Sequence, residues 1–445
     1  MSRGLVNPSF PSLPIPANVA AALTQAAAAQ GHGQRLALVG GAVRDLLLHR
    51  VHRDPWRGLL DLDLVVAEGP LELGQQPPDS GGDGPAPGDP VPADPAPPAA
   101  HRLARALQAQ DPAALGYCHF HHAYGTVELE LHGVLLDLAT ARCETYPEPG
   151  ENPVVSPGVL EDDLARRDFS VNAMALVLEG SSGQLLDPHG GLADLQRRSL
   201  RLLHGASVAD DPTRLVRGAR YGARLDFHLD AASLEQVSAT LAAWPWRWRH
   251  GDSPELAPPA LGTRLRMELE LLLEREPWRQ ALALLQDWGA LLLLDPALQA
   301  DRHWRRRIAW AQRLGLPPLV ALVAGASQPL ALAERLQLPH RQHRLLAQLA
   351  ELRQRLEAAG PTDRWSVSRW CALLEGHGVS AEAGALAIAA GVGPRRPLLR
   401  WWLRWRQLKA PLAAADLIAA GQRPGPELGE CLRALRDERL DQERL

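Results

Sequence analysis

Two short stretches carry residues whose types and spacing suit chemistry. In LALVGGAVRD (residues 36–45) an apolar run meets a Gly-Gly pair and then a helical pattern. A strand that breaks into such a turn aims the orphan N–H groups of the next helix at one point, and that point suits an anion such as phosphate. In LLDLDLVV (residues 59–66), Asp61 and Asp63 stand two apart in a Leu/Val run. Strand side chains alternate, so both carboxylates leave the same face. Either stretch alone is a common turn or strand end, so the argument rests on their occurring together.

A divalent ion that bridges phosphate oxygens takes one or two carboxylates and leaves its other positions to water and substrate, which points to Mg2+ held by Asp61 and Asp63. Two such ions clamp the attacking and leaving oxygens of an in-line displacement. The natural third carboxylate is Asp137, in VLLDLATAR, the second arm of a hairpin read from the alternation over residues 126–131 and the turn at His132-Gly133.

The elements that must position these groups follow from the pattern. An Ala-rich helix over residues 17–30 precedes the strand 36–39, the Gly40-Gly41 turn and a helix over 43–49. Asp54 reads as a turn residue in the loop before the Asp61/Asp63 strand. Residues 75–98 are rich in Pro, Gly and Asp, bury too little to offset their ordering entropy, and read as a disordered surface insert. A helix resumes over 100–110. Residues 142–157, RCETYPEPGENPVVSP, are turn-rich and polar and read as a mobile loop over the site. Next, LEDDLARRDFSVNAMAL places Arg166 and Arg167 where guanidinium forks suit triphosphate oxygens.

GGAVRD followed by DLD resembles the nucleotidyltransferase superfamily signature, in the form seen in class II tRNA nucleotidyltransferases and bacterial poly(A) polymerases. LEDDLARRDFSVNAMAL resembles that family's RRDFTxNAMA motif, with Ser170 for Thr. LLDPHGGLADL resembles D-x-x-G-G-x-x-D-L, with Asp187 and Asp194 read as caps. ADDPTR resembles E-D-x-x-R, with Asp210 for Glu, and LGTRLRMELE resembles E-R-I-x-x-E-L, with Thr263 for Glu and with Arg264 and Glu268 bracing a neck helix. The set spans residues 36–273.

The resemblance implies an α+β fold: a nucleotidyltransferase head with a small mixed β-sheet, followed by an all-α neck, body and tail. The expected limits are an N-terminal helix over 1–30, a head over 31–175, a neck over 176–275, and a helical RNA-binding body and tail over 276–445. The implied reaction is template-independent addition of CCA, or of its terminal A, to the 3′ end of tRNA from CTP and ATP with release of pyrophosphate. Asp61 and Asp63 hold Mg2+ and Asp137 assists the attacking hydroxyl. Gly40, Gly41, Arg44 and Asp45 seat phosphates and the structure around them. Arg166, Arg167, Asp168 and Asn172 serve triphosphate and ribose, and Asp211 with Arg214, three apart on a helix, presents an acceptor and a donor to the incoming base. A-only addition, poly(A) synthesis and noncatalytic RNA binding are the alternatives.

Composition bounds the rest. At 445 residues, with net charge −4 and 22% charged residues, the chain reads as globular with several domains, and a nucleic-acid partner needs a local basic face. Cys118, Cys143, Cys371 and Cys431 show no metal or disulfide spacing and read as free thiols of a cytoplasmic protein. No signal-peptide pattern and no membrane-length apolar run stand out. His119, His121 and His122 have no partner ligands in sequence and read as surface or RNA-facing. Three Arg/Trp clusters, at Trp244, His303 and Arg395, fit amphipathic packing with Trp inside and Arg outside better than base stacking. Deleting residues 75–98 is expected to leave the thermal midpoint and nucleotide incorporation near those of the full chain.

Overall fold

The computed structural model describes residues 9–10, 15–30, 34–55, 62–68, 97–122, 125–180, 182–362, 364–376 and 378–443. Asp61 and residues 75–96 of the expected insert lie outside the described residues. The chain divides into two units, Met1–Arg214 with Arg224–Thr240, and Leu215–Ala223 with Leu241–Leu445.

The first ten strands of the first unit are β1 (Ser9–Phe10), β2 (Arg35–Val39), β3 (Leu62–Ala67), β4 (Leu115–His121), β5 (Thr126–Leu131), β6 (Val134–Thr140), β7 (Arg142–Thr145), β8 (Val154–Pro157), β9 (Ala175–Glu179) and β10 (Ser182–Leu186). Eight of them form one mixed sheet in the order β1-β10-β9-β2-β3-β6-β5-β4. The pair β3/β6 is parallel and the other pairs of this sheet are antiparallel. The expected hairpin forms, with Leu131 opposite Val134 across His132-Gly133.

Alternation decides which face of the sheet is covered. Leu62, Leu64, Val127, Leu129, Leu131, Leu136 and Leu138 are buried on one side. The helices α1 (Ala17–Ala29), α2 (Gly41–His52) and α3 (Ala99–Gln110) follow β1, β2 and β3 respectively, and α3 packs on β3, β5 and β6 through its own buried Leu103, Ala104 and Leu107. On the other side, α4 (Leu160–Ala165) supplies Leu160 and Leu164 to a cluster with Ala37, Val39, Val65 and Ala67. Asp63 and Asp137 lie on that second side, where alternation places them opposite the buried leucines.

Two expectations are corrected here. Residues 142–157 are not an irregular loop: β7 and β8 pair as a hairpin, with Cys143 opposite Ser156 and Thr145 opposite Val154. Thr145, Val154 and Val155 favour extended backbone; Pro147, Pro149, Gly150 and Pro153 fall between the strands, and Pro157 is the last residue of β8. Asp194 is not a cap. It is buried in α5 (Gly191–Gln196) and accepts from Ser170 Oγ at 2.6 Å, Arg197 Nη2 at 2.6 Å and Arg201 Nε at 2.8 Å. Asp187 does cap that helix, accepting from Gly191 N at 2.7 Å and Leu192 N at 2.9 Å. Asp54 has a partner beyond its turn, since it accepts from Arg198 Nη2 at 2.7 Å.

The second unit is helical in its described residues. Its Arg/Trp clusters pack as amphipathic segments: Trp246, Trp248, Trp304, Trp401 and Trp405 are buried, while Arg247, Arg249, Arg305, Arg404 and Arg406 are exposed. Arg335 is a buried exception, stacked 4.3 Å from the Trp248 ring and donating to Leu293 O and Leu294 O. Glu268 accepts from Arg220 Nη1 at 2.5 Å and from Arg217 Nη1 at 3.5 Å, joining its helix to the one that carries both arginines. All four cysteines are free thiols. Among the described residues no helix is long and apolar enough to cross a membrane.

At Gly191 a Cβ would strike the Ser170 carbonyl oxygen and lie 2.8 Å from Met174 Cγ. Gly191→Ala is therefore expected to destabilise the first unit by about 2–3 kcal/mol, read as a lower urea midpoint.

Candidate active site

The site is built on strand register. Asp63 of β3 and Asp137 of β6 are direct Cα partners, so both carboxylates leave the same face of neighbouring strands. They line a cleft of about 320 Å³ together with Val39, Thr126, Glu128 and Arg167. Gly40 closes this cleft beside Asp63. Its φ of 68° lies in the left-handed region, and a Cβ there would sit 3.1 Å from Arg167 Nη1 and 3.7 Å from Asp63 Oδ2. Glycine thus lets the β2–α2 turn approach both charges, and the first-turn N–H groups of α2 begin at this point.

Arg44 turns inward. It is buried, with Nε and Nη2 bonded to Asp45 Oδ1 at 2.8 and 2.7 Å and Nη1 bonded to Asn172 Oδ1 at 2.9 Å. Three of the expected residues are thereby joined in one bracket that fixes the start of α2.

Arg166 and Arg167 hang on two carboxylates that the motif reading passed over. Asp163, fully buried, takes Arg166 through Nε at 3.0 Å and Nη2 at 2.7 Å, and takes Arg167 Nη2 at 2.8 Å. Glu144 of β7 accepts from Arg166 Nη1 at 3.0 Å and from Arg142. Burial pushes the Asp163 carboxyl up, but the charges and hydrogen bonds of Arg167 and Arg166 outweigh it and hold the group below its ordinary value. The i,i+3 and i,i+4 spacing in LEDDLARR was the available signal for Asp163. Nothing local marked Glu144.

Arg214 is also buried. It donates from Nε to Asp168 Oδ1 at 3.1 Å, from Nη2 to Arg166 O at 3.1 Å and from Nη1 to Ser207 O at 3.2 Å, and the Tyr146 ring lies 5.9 Å from its Cζ. His204 Nε2 is 3.3 Å from Arg214 Nη1. Burial and the Arg214 charge push the His204 pKa down against the pull of Asp210. Burial likewise pushes Asp210 up, against His204 and Arg214.

The expected helical pairing of Asp211 with Arg214 takes a different form. After α6 (Ser207–Asp210), Asp211 has extended backbone, with φ −143° and ψ 90°, and precedes α7 (Thr213–Leu225). Its Oδ1 accepts from Thr213 N at 3.1 Å and Thr213 Oγ1 at 2.6 Å, a cap on that helix. Pro212 is the cause, because proline disfavours helical backbone in the residue before it.

Residues 99–201 match the Poly A polymerase head domain model. The CC-adding tRNA nucleotidyltransferase of Deinococcus radiodurans is 38% identical over 326 residues, 71% of each chain. The chain belongs to the class II tRNA nucleotidyltransferase family. The A-adding tRNA nucleotidyltransferase of Halalkalibacterium halodurans is 30% identical over 311 residues, 67% of this chain and 68% of that one. A CCA-adding enzyme in its apo form shares the fold, with TM-score 0.67 and 23% identity over 96% of this chain and 92% of that one.

Nucleotidyltransferases of this family use divalent metal ions. The donors suit such an ion: Asp63 is a hard oxygen ligand in an open cleft, with Asp137 in register beside it.

Because the Asp163 pKa is lowered by folding, its stabilisation is full above the ordinary value of 3.8 and is lost as pH falls through the lower folded value. Asp163→Asn leaves two arginines without their shared anion and is expected to cost about 3 kcal/mol at neutral pH. In thermal unfolding across a pH series, the gap between native and variant should close at acid pH.

Proposed function

We propose that this chain adds CCA to the 3′ end of tRNA, using CTP and ATP with Mg2+ and releasing pyrophosphate. The observation that carries the reading is the Asp63/Asp137 pair, in direct register beside Gly40 and Arg167. Family membership and the likeness to CCA-adding structures support it.

Asp63, with Asp61 two residues before it in the sequence, would hold the metal. When bound, Mg2+ supplies charge neutralisation at the phosphates and lowers the pKa of the attacking hydroxyl. The remaining work falls to the chain itself. The α2 N-terminus and Arg167 bind and orient the triphosphate on the Asp63 side of the cleft. Asp137 accepts the proton of the attacking 3′-hydroxyl. The bracket of Arg44, Asp45 and Asn172 keeps the Gly40 turn rigid, and Asp163 with Glu144 keeps Arg166 and Arg167 aimed, so little reorganisation is left for the reaction. We assign base selection to the region of Asp211 and Arg214. There Arg214 is already fixed by Asp168, and Tyr146 of the β7–β8 turn lies over its guanidinium. The head, neck, and body-and-tail division stays part of this proposal, with RNA held by the second unit.

Partial addition is the second reading, since the relatives above are named CC-adding and A-adding. Labelled CTP and ATP offered to tRNA transcripts ending at the discriminator base, at CC and at CCA separate the cases. Two C and one A on the bare transcript are expected. Addition stopping at CC, or addition of A to the CC-ended transcript alone, establishes the partial enzyme, and continued A addition beyond CCA establishes a poly(A) polymerase. Asp63→Ala and Asp137→Ala are each expected to lower kcat by about 1,000-fold or more. A normal rate in either variant, or no incorporation by the native chain, refutes the proposal.

A further inference from the structure

We infer that Glu128 recognises the ribose of the accepting RNA strand, its carboxylate taking a hydrogen bond from the 2′-hydroxyl of the terminal nucleotide. The inference rests on the transferase reading above and adds a specificity residue that no motif marks.

Three observations carry it. First, Asp137 is the direct Cα partner of Asp63 on one side and of Glu128 on the other, so the three carboxylates form one row across β3, β6 and β5. Adjacent strands lie about 4.8 Å apart. Glu128 is flanked by buried Val127 and Leu129, so alternation turns its side chain into the same cleft that Asp63 and Asp137 line.

Second, the cleft is asymmetric. Gly40 and Arg167 crowd the Asp63 end, which assigns the triphosphate to that end. The accepting strand then approaches from the β5 side, with its 3′-hydroxyl at Asp137. The 2′-hydroxyl sits on the neighbouring carbon of the same ring and falls toward the next strand, where Glu128 stands.

Third, the Glu128 carboxylate is accessible. His121 Nε2 lies 3.3 Å from Glu128 Oε1, and the Glu128 side chain keeps 52% exposure, leaving acceptor positions open to a ligand. An ionised carboxylate only accepts, a 2′-hydroxyl can donate, and a deoxyribose offers nothing there.

The experiment compares kcat/KM with Mg2+ and CTP on tRNA transcripts lacking CCA whose last nucleotide carries either ribose or 2′-deoxyribose. The native chain is expected to favour ribose by about 10- to 100-fold, the range for one hydrogen bond to a charged group. Glu128→Ala should bring the ratio close to 1 and Glu128→Gln should fall between. The losses from the deoxy substrate and from Glu128→Ala should not add, because both remove the same contact. Unchanged discrimination in Glu128→Ala, no discrimination by the native chain, or additive losses on both substrates overturns the assignment. A native chain active on both substrates without preference refutes Glu128 alone, whereas one that incorporates neither CTP here nor ATP on the corresponding CC-ended transcripts refutes the transferase reading and this inference with it.

Discussion

The parallel pairing of β3 with β6 is the constraint on which the site depends. Side chains of a strand alternate, so a slip of one residue would turn Asp63 or Asp137 into the layer beneath α3 and bring a leucine into the cleft. The register is protected by what lies on the covered side: Leu62, Leu64, Leu136 and Leu138 are all buried against the helix layer. Each fully buried leucine contributes roughly 1.5–3 kcal/mol, far more than the repulsion between two partly hydrated carboxylates costs. Packing on one face therefore holds together, on the other, charges that would not gather by themselves.

The cations of the site face the opposite difficulty, since arginines near a phosphate seat are useful only if they stay extended and charged. Asp163 solves this from below, as a buried anion shared by Arg166 and Arg167, with Glu144 completing the support from β7. Arg44 is fixed by Asp45 and Asn172, and Arg214 by Asp168 and two backbone carbonyls. The ordering cost of these long side chains is met in folding, before any substrate arrives.

In the second unit the same residue types do different work. Tryptophans alternate with arginines because indole fills the helical core while guanidinium reaches water along its apolar stem. Arg335 shows the limiting case. It is buried, and that burial pulls its pKa down to about 10, with Asp295 acting against the shift; it is tolerated because Trp248 stacks on it and two carbonyls accept its N–H bonds. A local Arg/Trp run is thus weak evidence for nucleic-acid contact until its exposed face is known.

The sequence by itself determined the Gly-Gly turn, the carboxylate strand, the β5–β6 hairpin, the ordered motifs and the family, because each is written within a few residues and obeys a local period. It also anticipated the amphipathic reading of the Arg/Trp clusters. It misread residues 142–157 and the setting of Asp211, where strand pairing and a following proline outweighed composition. Asp194 as a buried hub, the support of Arg166 by Glu144, and the row from Asp63 through Asp137 to Glu128 were decided only by tertiary structure. Those relations join residues far apart along the chain, and burial and strand register, which set them, exist only once the sheet has closed on its helices.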